Sequence, residues 1–211
     1  MSVSSALRQY AVLVPVKPPA VGKSRLSGLD DPTRRALAEA FAQDTVLACL
    51  RAELVGQVLV VTDDAHFSRL LSELGCAAIP DGVSGDLNAI LRQAAAEAHR
   101  RWPHLGLVAL CADLPALRSV DLDTVLAGLP DDRPGFVADA AGVGTTLYAA
   151  PVDSFDPHFG PGSRRAHLDA GAREVADAPA SVRRDVDDPA DLADATVLGL
   201  GPSTSLVTFA P

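Results

Sequence analysis

The sequence has few cysteines and few aromatic side chains. Its three cysteines, Cys49, Cys76 and Cys111, are odd in number, far apart and surrounded by apolar residues. This arrangement argues against a disulfide framework and against a CxxC metal site. It predicts buried thiols in a reducing compartment.

The chain is also short of positive charge. Its 18 Lys and Arg residues are outnumbered by 27 Asp and Glu residues, and the formal net charge is -9 at pH 7. Nucleic acids and acidic membrane surfaces are usually bound by clustered positive charge. We therefore expect no nucleic acid and no membrane among its partners.

Long hydrophobic runs are missing as well. The run LGLVALCA at 105–112 has the length of a strand, whereas a membrane-spanning helix needs roughly 20 apolar residues. The N-terminal MSVSSALRQYAVLVPVK has a short apolar run that merges with a predicted core strand, which is unlike a signal peptide. These absences predict a cytoplasmic protein.

A P-loop is missing, although Gly22, Lys23 and Ser24 spell its usual ending. The motif GxxxxGK[ST] needs a glycine five residues before Gly22, where its amides wrap the phosphates. Position 17 is Lys instead. The loop still contains three cations, Lys17, Lys23 and Arg25, directly after an apolar strand, and such a loop favours binding of an anion.

The residues that are present predict one α/β domain over 1–211, because short β-branched runs alternate with alanine-rich helical stretches. With 48% hydrophobic residues the chain can bury a sizeable core. The predicted strands are 10–16, 57–62, 76–79, 106–112, 135–140 and 145–150, with a short one near 182–187. The predicted helices are 31–52, 65–74, 86–101, 119–128, 163–171 and 188–197, and the tail GPSTSLVTFAP is either a final docked strand or loose.

Ligands bind at the carboxyl ends of the strands in such sheets, so the residues after each apolar run are the candidates. Basic residues follow the first strand and acidic residues follow later ones, including Asp113 in CADLPAL and Asp185 and Asp187 in RRDVDDPADL. Two aspartates two positions apart on extended chain share a face. With Asp113 they form an oxygen-rich set suited to Mg²⁺. Cations for phosphates and carboxylates for magnesium together indicate a nucleotide.

Six segments in order resemble the guanylyltransferases that act on phosphoenolpyruvate or 2-phospho-L-lactate in making the deazaflavin coenzyme F420. The segments are VPVKPPAVGKSRL, PDGVSGDLNAI, CADLPAL, GVGTTLYAA, FGPGS and RRDVDDPADL. The resemblance runs from about residue 11 to 200. It implies the nucleotidyltransferase fold, a Rossmann-like three-layer α/β/α arrangement with a mostly parallel sheet. It also implies transfer of GMP from GTP to a phosphorylated three-carbon acid with release of pyrophosphate.

The expected chemistry is attack of a phosphate oxygen of the acid on the α-phosphorus of GTP. Mg²⁺ held by Asp113, Asp185 and Asp187 would neutralise charge there, and the three cations of the first loop would hold the β- and γ-phosphates. The resemblance implies that three residues bind the acid: Thr145, Gly160 and Ser163. Ser163 is placed like an N-cap, where amides and a hydroxyl face an anion. The candidates for guanine and ribose are Leu13, Val14, Pro15, Asp81, Asp86 and Asn88.

Several of these residues also have purely structural explanations. Asp113 suits a turn before Leu114 and Pro115, Asp185 and Asp187 suit the approach to a helix, and Asn88 suits a helix cap. Lys17, Lys23 and Arg25 suit a solvated surface, and Ser163 suits a helix cap alone. Four histidines lack metal-ligand spacing and suit surface or core positions: His66, His99, His104 and His167.

Three functions remain open from the residues. The first is guanylyl transfer to phosphoenolpyruvate, preferred for its likeness to bacterial members, or to 2-phospholactate or 3-phosphoglycerate. The second is another nucleotidyl transfer of the same fold, to a sugar phosphate or the molybdenum cofactor. The third is a non-catalytic nucleotide-binding module, which leaves three convergent aspartates without a purpose.

Overall fold

The computed structural model describes residues 8–16, 26, 28–82 and 85–209. Its strands are β1 (Tyr10–Pro15), β2 (Val55–Val61), β3 (Ala77–Ile79), β4 (Gly106–Leu110), β5 (Gly135–Ala138), β6 (Thr145–Ala150) and β7 (Arg173–Glu174). Its α-helices are α1 (Asp31–Arg51), α2 (Ala65–Glu73), α3 (Leu87–Arg101), α4 (Ser119–Ala127), α5 (Ser163–Asp169), α6 (Ala180–Arg183), α7 (Pro189–Leu198) and α8 (Pro202–Thr208). A 3₁₀ turn spans Val152–Ser154.

The described strands form one seven-stranded sheet in the order β3-β2-β1-β4-β6-β5-β7. Neighbouring strands pair in parallel except at β6, which runs antiparallel to both β4 and β5. From β1 the chain continues through β2 and β3 toward one edge of the sheet. It then returns, and β4 pairs with β1 on the side opposite β2. The gap between the ends of β1 and β4 is therefore a topological switch point, where ligands bind in sheets of this kind.

Helices cover both faces of the sheet because its strands are apolar on both sides. Val12 and Val14 pack with the side chains of α1, α2 and α4, whereas Ala11 and Leu13 pack with α3 on the opposite face. Alternate residues of a strand point to opposite faces, so one buried strand supplies two core layers. The predicted three-layer α/β/α fold with a mostly parallel sheet is confirmed.

The prediction of a strand near 182–187 is wrong, and the seventh strand is Arg173–Glu174. Val182 ends up in the short helix α6, and its carbonyl accepts a hydrogen bond from Thr146 Oγ1 at 2.7 Å. Farther along, the amide of Val186 donates to the carbonyl of Asp113 at 3.0 Å. The segment is attached by hydrogen bonds to the start of β6 and to the turn after β4, and it pairs with neither strand.

The tail is neither a strand nor loose over its described part, where residues 202–208 form α8. Asp44 of α1 is buried, and its carboxylate accepts hydrogen bonds from the amides of Ser203 and Thr204 at 2.9 and 2.8 Å. A carboxylate at the first turn of a helix satisfies amides that have no partner within the helix. Asp44 lies 159 and 160 positions before these two residues, so a local sequence pattern does not reveal this contact.

None of the helices in the described part of the chain is both long enough and apolar enough to cross a membrane.

Candidate active site

The switch point opens at the end of β1. Pairing of β1 with β4 stops at Leu13, whereas pairing with β2 continues to Pro15. The side chains of Leu13 and Val14 are fully buried in opposite core layers, and Pro15 is half-buried. These three predicted nucleotide-binding residues thus lie where the two central strands separate, and the backbone is the part of Leu13 and Val14 that a ligand could reach.

The described residues on either side of the predicted phosphate-binding cations, Val16 and Leu26, both have contacts near this edge. Val16 donates its amide to the carbonyl of Val61 at 2.9 Å. Leu26 is fully buried in a cluster with Ala116 and Val186. Lys17, Lys23 and Arg25 lie outside the described residues, so their assignment stays a prediction. Of the described flanking residues, Val16 directly follows β1, and Leu26 packs against Val186, between Asp185 and Asp187.

Asp113 lies three residues beyond β4, in a turn that α1 holds in place. Thr45 Oγ1 is 3.1 Å from the carbonyl oxygen of Ala112 and accepts from the amide of Leu114 at 3.1 Å. The carbonyl of Asp113 accepts from the amide of Val186. The turn is thereby joined to the 185–187 stretch, and the prediction that Asp113 and these aspartates converge agrees with the arrangement.

Four carboxylates form what we call the carboxylate corner: Asp113, Asp139, Asp185 and Asp187. Burial and, after it, the nearby negative charges of Asp113, Asp187 and Asp139 together raise the pKa of Asp185 to about 7. Asp187 is exposed, and the amide of its own backbone donates to Asp191. A cluster of like charges with one half-buried member is costly unless a cation joins it.

Sequence reasoning missed Asp139 because the predicted strand 135–140 contained it, whereas β5 ends at Ala138 and Asp139 directly follows the strand. Its carboxylate accepts from the amides of Val143 and Gly144 at 2.9 and 2.7 Å. A Cβ on Gly144 would collide with this carboxylate, so the turn before Thr145 needs glycine there. Thr45 was missed for a different reason, because a threonine inside a helical pattern gives no sign of a distant turn.

The side chains of the corner fit a magnesium ion by their chemistry. Carboxylate oxygens are the ligands that Mg²⁺ prefers, and a divalent cation relieves the repulsion that raises the pKa of Asp185. Among the described residues no group of three or more His, Cys, Asp or Glu side chains is arranged to hold a metal. The described residues therefore supply suitable oxygen ligands for Mg²⁺, but these oxygens are not arranged as a complete coordination shell.

The predicted nucleotide-binding residues after β3 lie between the end of β3 and the first turn of α3. Asp86 is the N-cap of α3 and accepts from the amides of Asn88 and Ala89 at 3.0 Å. The amide of Asp81 donates to Asp63 Oδ1 at 2.9 Å. Asn88 binds the backbone of Phe159 twice, donating from Nδ2 to its carbonyl at 2.9 Å and accepting from its amide at 2.7 Å. A nucleotide contact of Asp81, Asp86 or Asn88 stays a prediction.

The three residues predicted to bind the acid, Thr145, Gly160 and Ser163, form what we call the cradle. Thr145 begins β6, and its carbonyl accepts a weak hydrogen bond from Cys111 Sγ at 3.5 Å, two residues before Asp113. Gly160 is exposed with a φ of 134°, and its carbonyl accepts from the amide of Ser163 at 3.1 Å. The structure thus places Thr145 beside the carboxylate corner and links Gly160 to Ser163.

Ser163 is not the N-cap that the sequence suggested. Gly162 occupies that position with a φ of 70°, and Ser163 is the first residue of α5 and almost fully buried. The left-handed backbone at the cap favours glycine. Ser163 therefore serves as no side-chain cap, and a contact of its hydroxyl with a ligand stays a prediction.

Comparison with known proteins places the chain among guanylyl transferases. A family model described as guanylyl transferase CofC like matches residues 10–205. The phosphoenolpyruvate guanylyltransferase of Thermomonospora curvata is 48% identical over 198 residues, covering 93% of this chain and 87% of that protein. The phosphoenolpyruvate guanylyltransferase of Streptomyces scabiei is 50% identical over 204 residues, covering 93% of this chain and 94% of that protein.

Solved structures with the same fold are more distant in sequence. A putative nucleotide-diphospho-sugar transferase from Desulfovibrio desulfuricans superposes with a TM-score of 0.64 at 17% identity, over 90% of this chain and 96% of its own. A nucleotidyl transferase from Methanothermobacter thermautotroptrophicus superposes with a TM-score of 0.58 at 20% identity, over 90% and 97%. At these identities the likeness establishes the nucleotidyltransferase fold.

Proposed function

The chain belongs to the family of CofC-like guanylyl transferases, and we propose that it transfers GMP from GTP to phosphoenolpyruvate in coenzyme F420 biosynthesis. The products are enolpyruvyl-diphospho-5'-guanosine and pyrophosphate. The observation that carries the proposal is the family match over 10–205 together with relatives near 48% identity named phosphoenolpyruvate guanylyltransferase. These relatives favour phosphoenolpyruvate over 2-phospholactate and 3-phosphoglycerate as the acid.

In the reaction a phosphate oxygen of the acid forms a bond to the α-phosphorus of GTP. The bond from that phosphorus to the bridging oxygen breaks, and pyrophosphate leaves with the bonding electrons. Both reactants are polyanions, and the protein has a net charge of -9. Local positive charge therefore has to come from a few residues and a bound cation.

We also propose that Asp113, Asp185 and Asp187 hold Mg²⁺, with Asp139 beside them. Support comes from the backbone hydrogen bond between the amide of Val186 and the carbonyl of Asp113 and from the raised pKa of Asp185. When bound, Mg²⁺ supplies positive charge next to the reacting phosphates. The carboxylates themselves fix where that charge lies, because the turn around Asp113 is anchored by Thr45.

The nucleotide is proposed to lie over the end of β1 and the start of α3. Lys17, Lys23 and Arg25 bind the β- and γ-phosphates and stabilise the departing pyrophosphate. The guanine and ribose lie against Leu13, Val14, Pro15, Asp81, Asp86 and Asn88. The separation of β1 from β4 beyond Leu13 supports this position, because it opens the switch point.

The acid is proposed to lie in the cradle. Thr145, Gly160 and Ser163 offer hydroxyl and backbone donors, and Thr145 adjoins the turn that contains Asp113. This places the acid next to the proposed metal and opposite the nucleotide.

We also place the enzyme in the cytoplasm, which is consistent with three cysteines that are present as thiols.

The test is a direct assay of pyrophosphate release. The purified protein is incubated with Mg²⁺, each of the four nucleoside triphosphates, and phosphoenolpyruvate, 2-phospholactate, 3-phosphoglycerate or a sugar phosphate. We expect release with GTP and phosphoenolpyruvate at the highest kcat/KM. A higher kcat/KM with another acid would replace the substrate, and tight GTP binding without release for any acceptor would indicate a binding module.

A variant of the first loop tests the assignment of the two pockets. Lys23→Ala is expected to raise the KM for GTP about tenfold or more, since a charged hydrogen bond to phosphate is lost. The KM for phosphoenolpyruvate should change far less. A rise for the acid without one for GTP would show that the two pockets are reversed.

A further inference from the structure

A fully buried histidine lies directly behind the cradle. His167 of α5 is 0% exposed, and its ring stacks on Tyr148 and Phe136 with centroid distances of 4.8 and 5.3 Å. The sequence assigned this residue to the surface or to the core without a function. Its contacts reach two parts of the cradle, Thr145 and the backbone that leads to Gly160.

The two hydrogen bonds of the ring define its tautomer. The backbone amide of His158 donates to Nε2 at 3.0 Å, and because an amide N–H can only donate, Nε2 must present its lone pair. A neutral ring then has its proton on Nδ1. Nδ1 is 3.0 Å from Thr145 Oγ1, so Nδ1–H donates and the threonine hydroxyl accepts.

The surroundings keep the ring neutral. Burial and, after it, the nearby His158 together lower the pKa of His167 to about 4, while a backbone hydrogen bond with Ser163 acts in the opposite direction. Asp156 is 3.6 Å from His158 and is itself paired with Arg92 at 3.0 Å. At neutral pH the tautomer is thus fixed by geometry and the charge state by burial.

The tautomer determines what Thr145 can do. A hydroxyl has one proton to donate and two lone pairs to accept with. Since Oγ1 accepts from His167, its proton is left for another acceptor, and within the described residues the Thr145 hydroxyl donates to none. A buried hydroxyl whose proton lacks an acceptor favours an anionic oxygen placed next to it.

The same ring also holds the approach to Gly160. His158 and Phe159 precede Gly160, and their backbone amides are bound by His167 and by Asn88 respectively. Gly160 is exposed and in a conformation that is rare for other residues. The segment is therefore fixed from two helices immediately before the residue that the acid is proposed to contact.

We propose that His167 is a positioning residue for the acid: its Nδ1–H tautomer turns the Thr145 hydroxyl so that it donates to an oxygen of the phosphorylated acid, while Nε2 fixes the backbone before Gly160. This inference rests on the proposed function for the identity of the acid. His167 itself touches no substrate. It acts through Thr145 and through His158.

The tautomer is tested without any turnover. Long-range ¹⁵N–¹H correlation spectra of the wild-type protein distinguish a protonated Nδ1 from a protonated Nε2, and His167→Gln assigns the signal among the five histidines. We expect a neutral ring with the proton on Nδ1 from about pH 6 to 8. A protonated Nε2 or a charged ring in this range would overturn the proposal, whatever the enzyme's substrate is.

The hydroxyl is tested by matched threonine variants in calorimetric titrations with phosphoenolpyruvate and in the pyrophosphate assay. Thr145→Val should raise the Kd and the KM for phosphoenolpyruvate about tenfold or more, because the hydroxyl donor is lost. The KM for GTP should stay within about twofold of the wild-type value. Thr145→Ser, which keeps the hydroxyl, should retain most of the affinity for phosphoenolpyruvate. Thr204→Val is the control, because Thr204 is also buried but lies in α8 against α1. Unchanged phosphoenolpyruvate binding in Thr145→Val would overturn the proposal.

Two histidine variants separate positioning from stability alone. His167→Asn can keep a donor near Thr145, whereas His167→Gln can keep an acceptor near His158. We expect both to weaken phosphoenolpyruvate binding more than GTP binding, and Thr145→Val to add little further loss in the His167→Gln background. Variants that lose thermal stability but keep wild-type constants would overturn the proposal. If wild-type protein binds phosphoenolpyruvate but releases no pyrophosphate, the proposed function fails while these binding tests still apply.

Discussion

The cradle and the carboxylate corner lie at the same edge of the sheet, yet they satisfy their polar groups in different ways. Behind the cradle, the neutral ring of His167 is hydrogen-bonded on both nitrogens, to the hydroxyl of Thr145 and to the amide of His158. In the corner four carboxylates face one another, and the pKa of Asp185 is raised to about 7. The cradle is thus organised before any ligand arrives, whereas the corner is under electrostatic strain that a cation relieves.

The difference shows how one site can bind two polyanions. The neutral cradle costs little to maintain and offers hydroxyl and amide donors to an acid. The corner is unfavourable alone, and its repulsion turns into attraction when a divalent cation binds. The following predictions test this contrast, in order of expected effect.

The largest effect is expected in the corner. Asp113→Asn keeps the shape of the side chain but removes its charge, and we expect kcat to fall about a hundredfold or more, as for loss of a major electrostatic group. Pyrophosphate release at saturating Mg²⁺ is the measurement, with circular dichroism as the check of folding. A rate near wild type would remove Asp113 from the site.

A smaller loss is expected where α3 supports the cradle. Asn88→Ala leaves the amide and carbonyl of Phe159 without their partner, at a cost of about 1–3 kcal/mol in the free energy of unfolding. Because Phe159 precedes Gly160, the KM for phosphoenolpyruvate should rise more than the KM for GTP. The opposite order of KM effects would support the predicted contact of Asn88 with the nucleotide.

The two regions should respond to pH with opposite sign. The folded-state pKa of His167, about 4, is below the unfolded value of about 6.5. Its contribution to stability is therefore fully present above about pH 6.5 and is lost as the pH falls toward 4, by up to about 2 kcal/mol between pH 7 and 5. Asp185 has a raised pKa, so its contribution is present at low pH and is lost as the pH rises through about 7.

Urea unfolding of the wild type and two variants at these pH values, with a chelator present, separates the contributions. The stability difference between wild type and His167→Gln should shrink on going from pH 7 to 5. The difference between wild type and Asp185→Asn should change in the opposite direction. Parallel curves for all three proteins would contradict both assignments.

The smallest effect is a gain of stability in the corner. Without divalent cations at about pH 8, Asp185→Asn should raise the free energy of unfolding by about 1 kcal/mol or more, because a half-buried charge among like charges is removed. Added Mg²⁺ should stabilise the wild type and not the variant.

The control is Asp153→Asn, which makes the same charge change on an exposed residue beyond the far end of β6. It should leave the response to Mg²⁺ unchanged. Equal stabilisation of Asp185→Asn and wild type by Mg²⁺ would place the cation elsewhere.

The sequence by itself determined the sheet, its helices and most of the candidate residues. Alternating apolar runs and alanine-rich stretches are local signals, and the strand-end rule selected Asp113 because neighbouring parallel strands end at one edge. Asp185 and Asp187 were selected with a predicted strand that the structure lacks, and the hydrogen bond from Val186 to Asp113 joins their stretch to this edge. Asp139 was not selected because the predicted strand 135–140 contained it, whereas β5 ends at Ala138.

Only the tertiary structure decided the contacts between distant segments. The helix α8 depends on Asp44, the turn of Asp113 depends on Thr45, and the 182–187 stretch bonds to the start of β6 and to the turn after β4, so each departs from what its own sequence favours. The state of His167 is of the same kind. Burial keeps its ring neutral, and the amide of His158 determines which nitrogen has the proton. No local sequence pattern encodes the charge or the tautomer, because both depend on partners that only folding brings together.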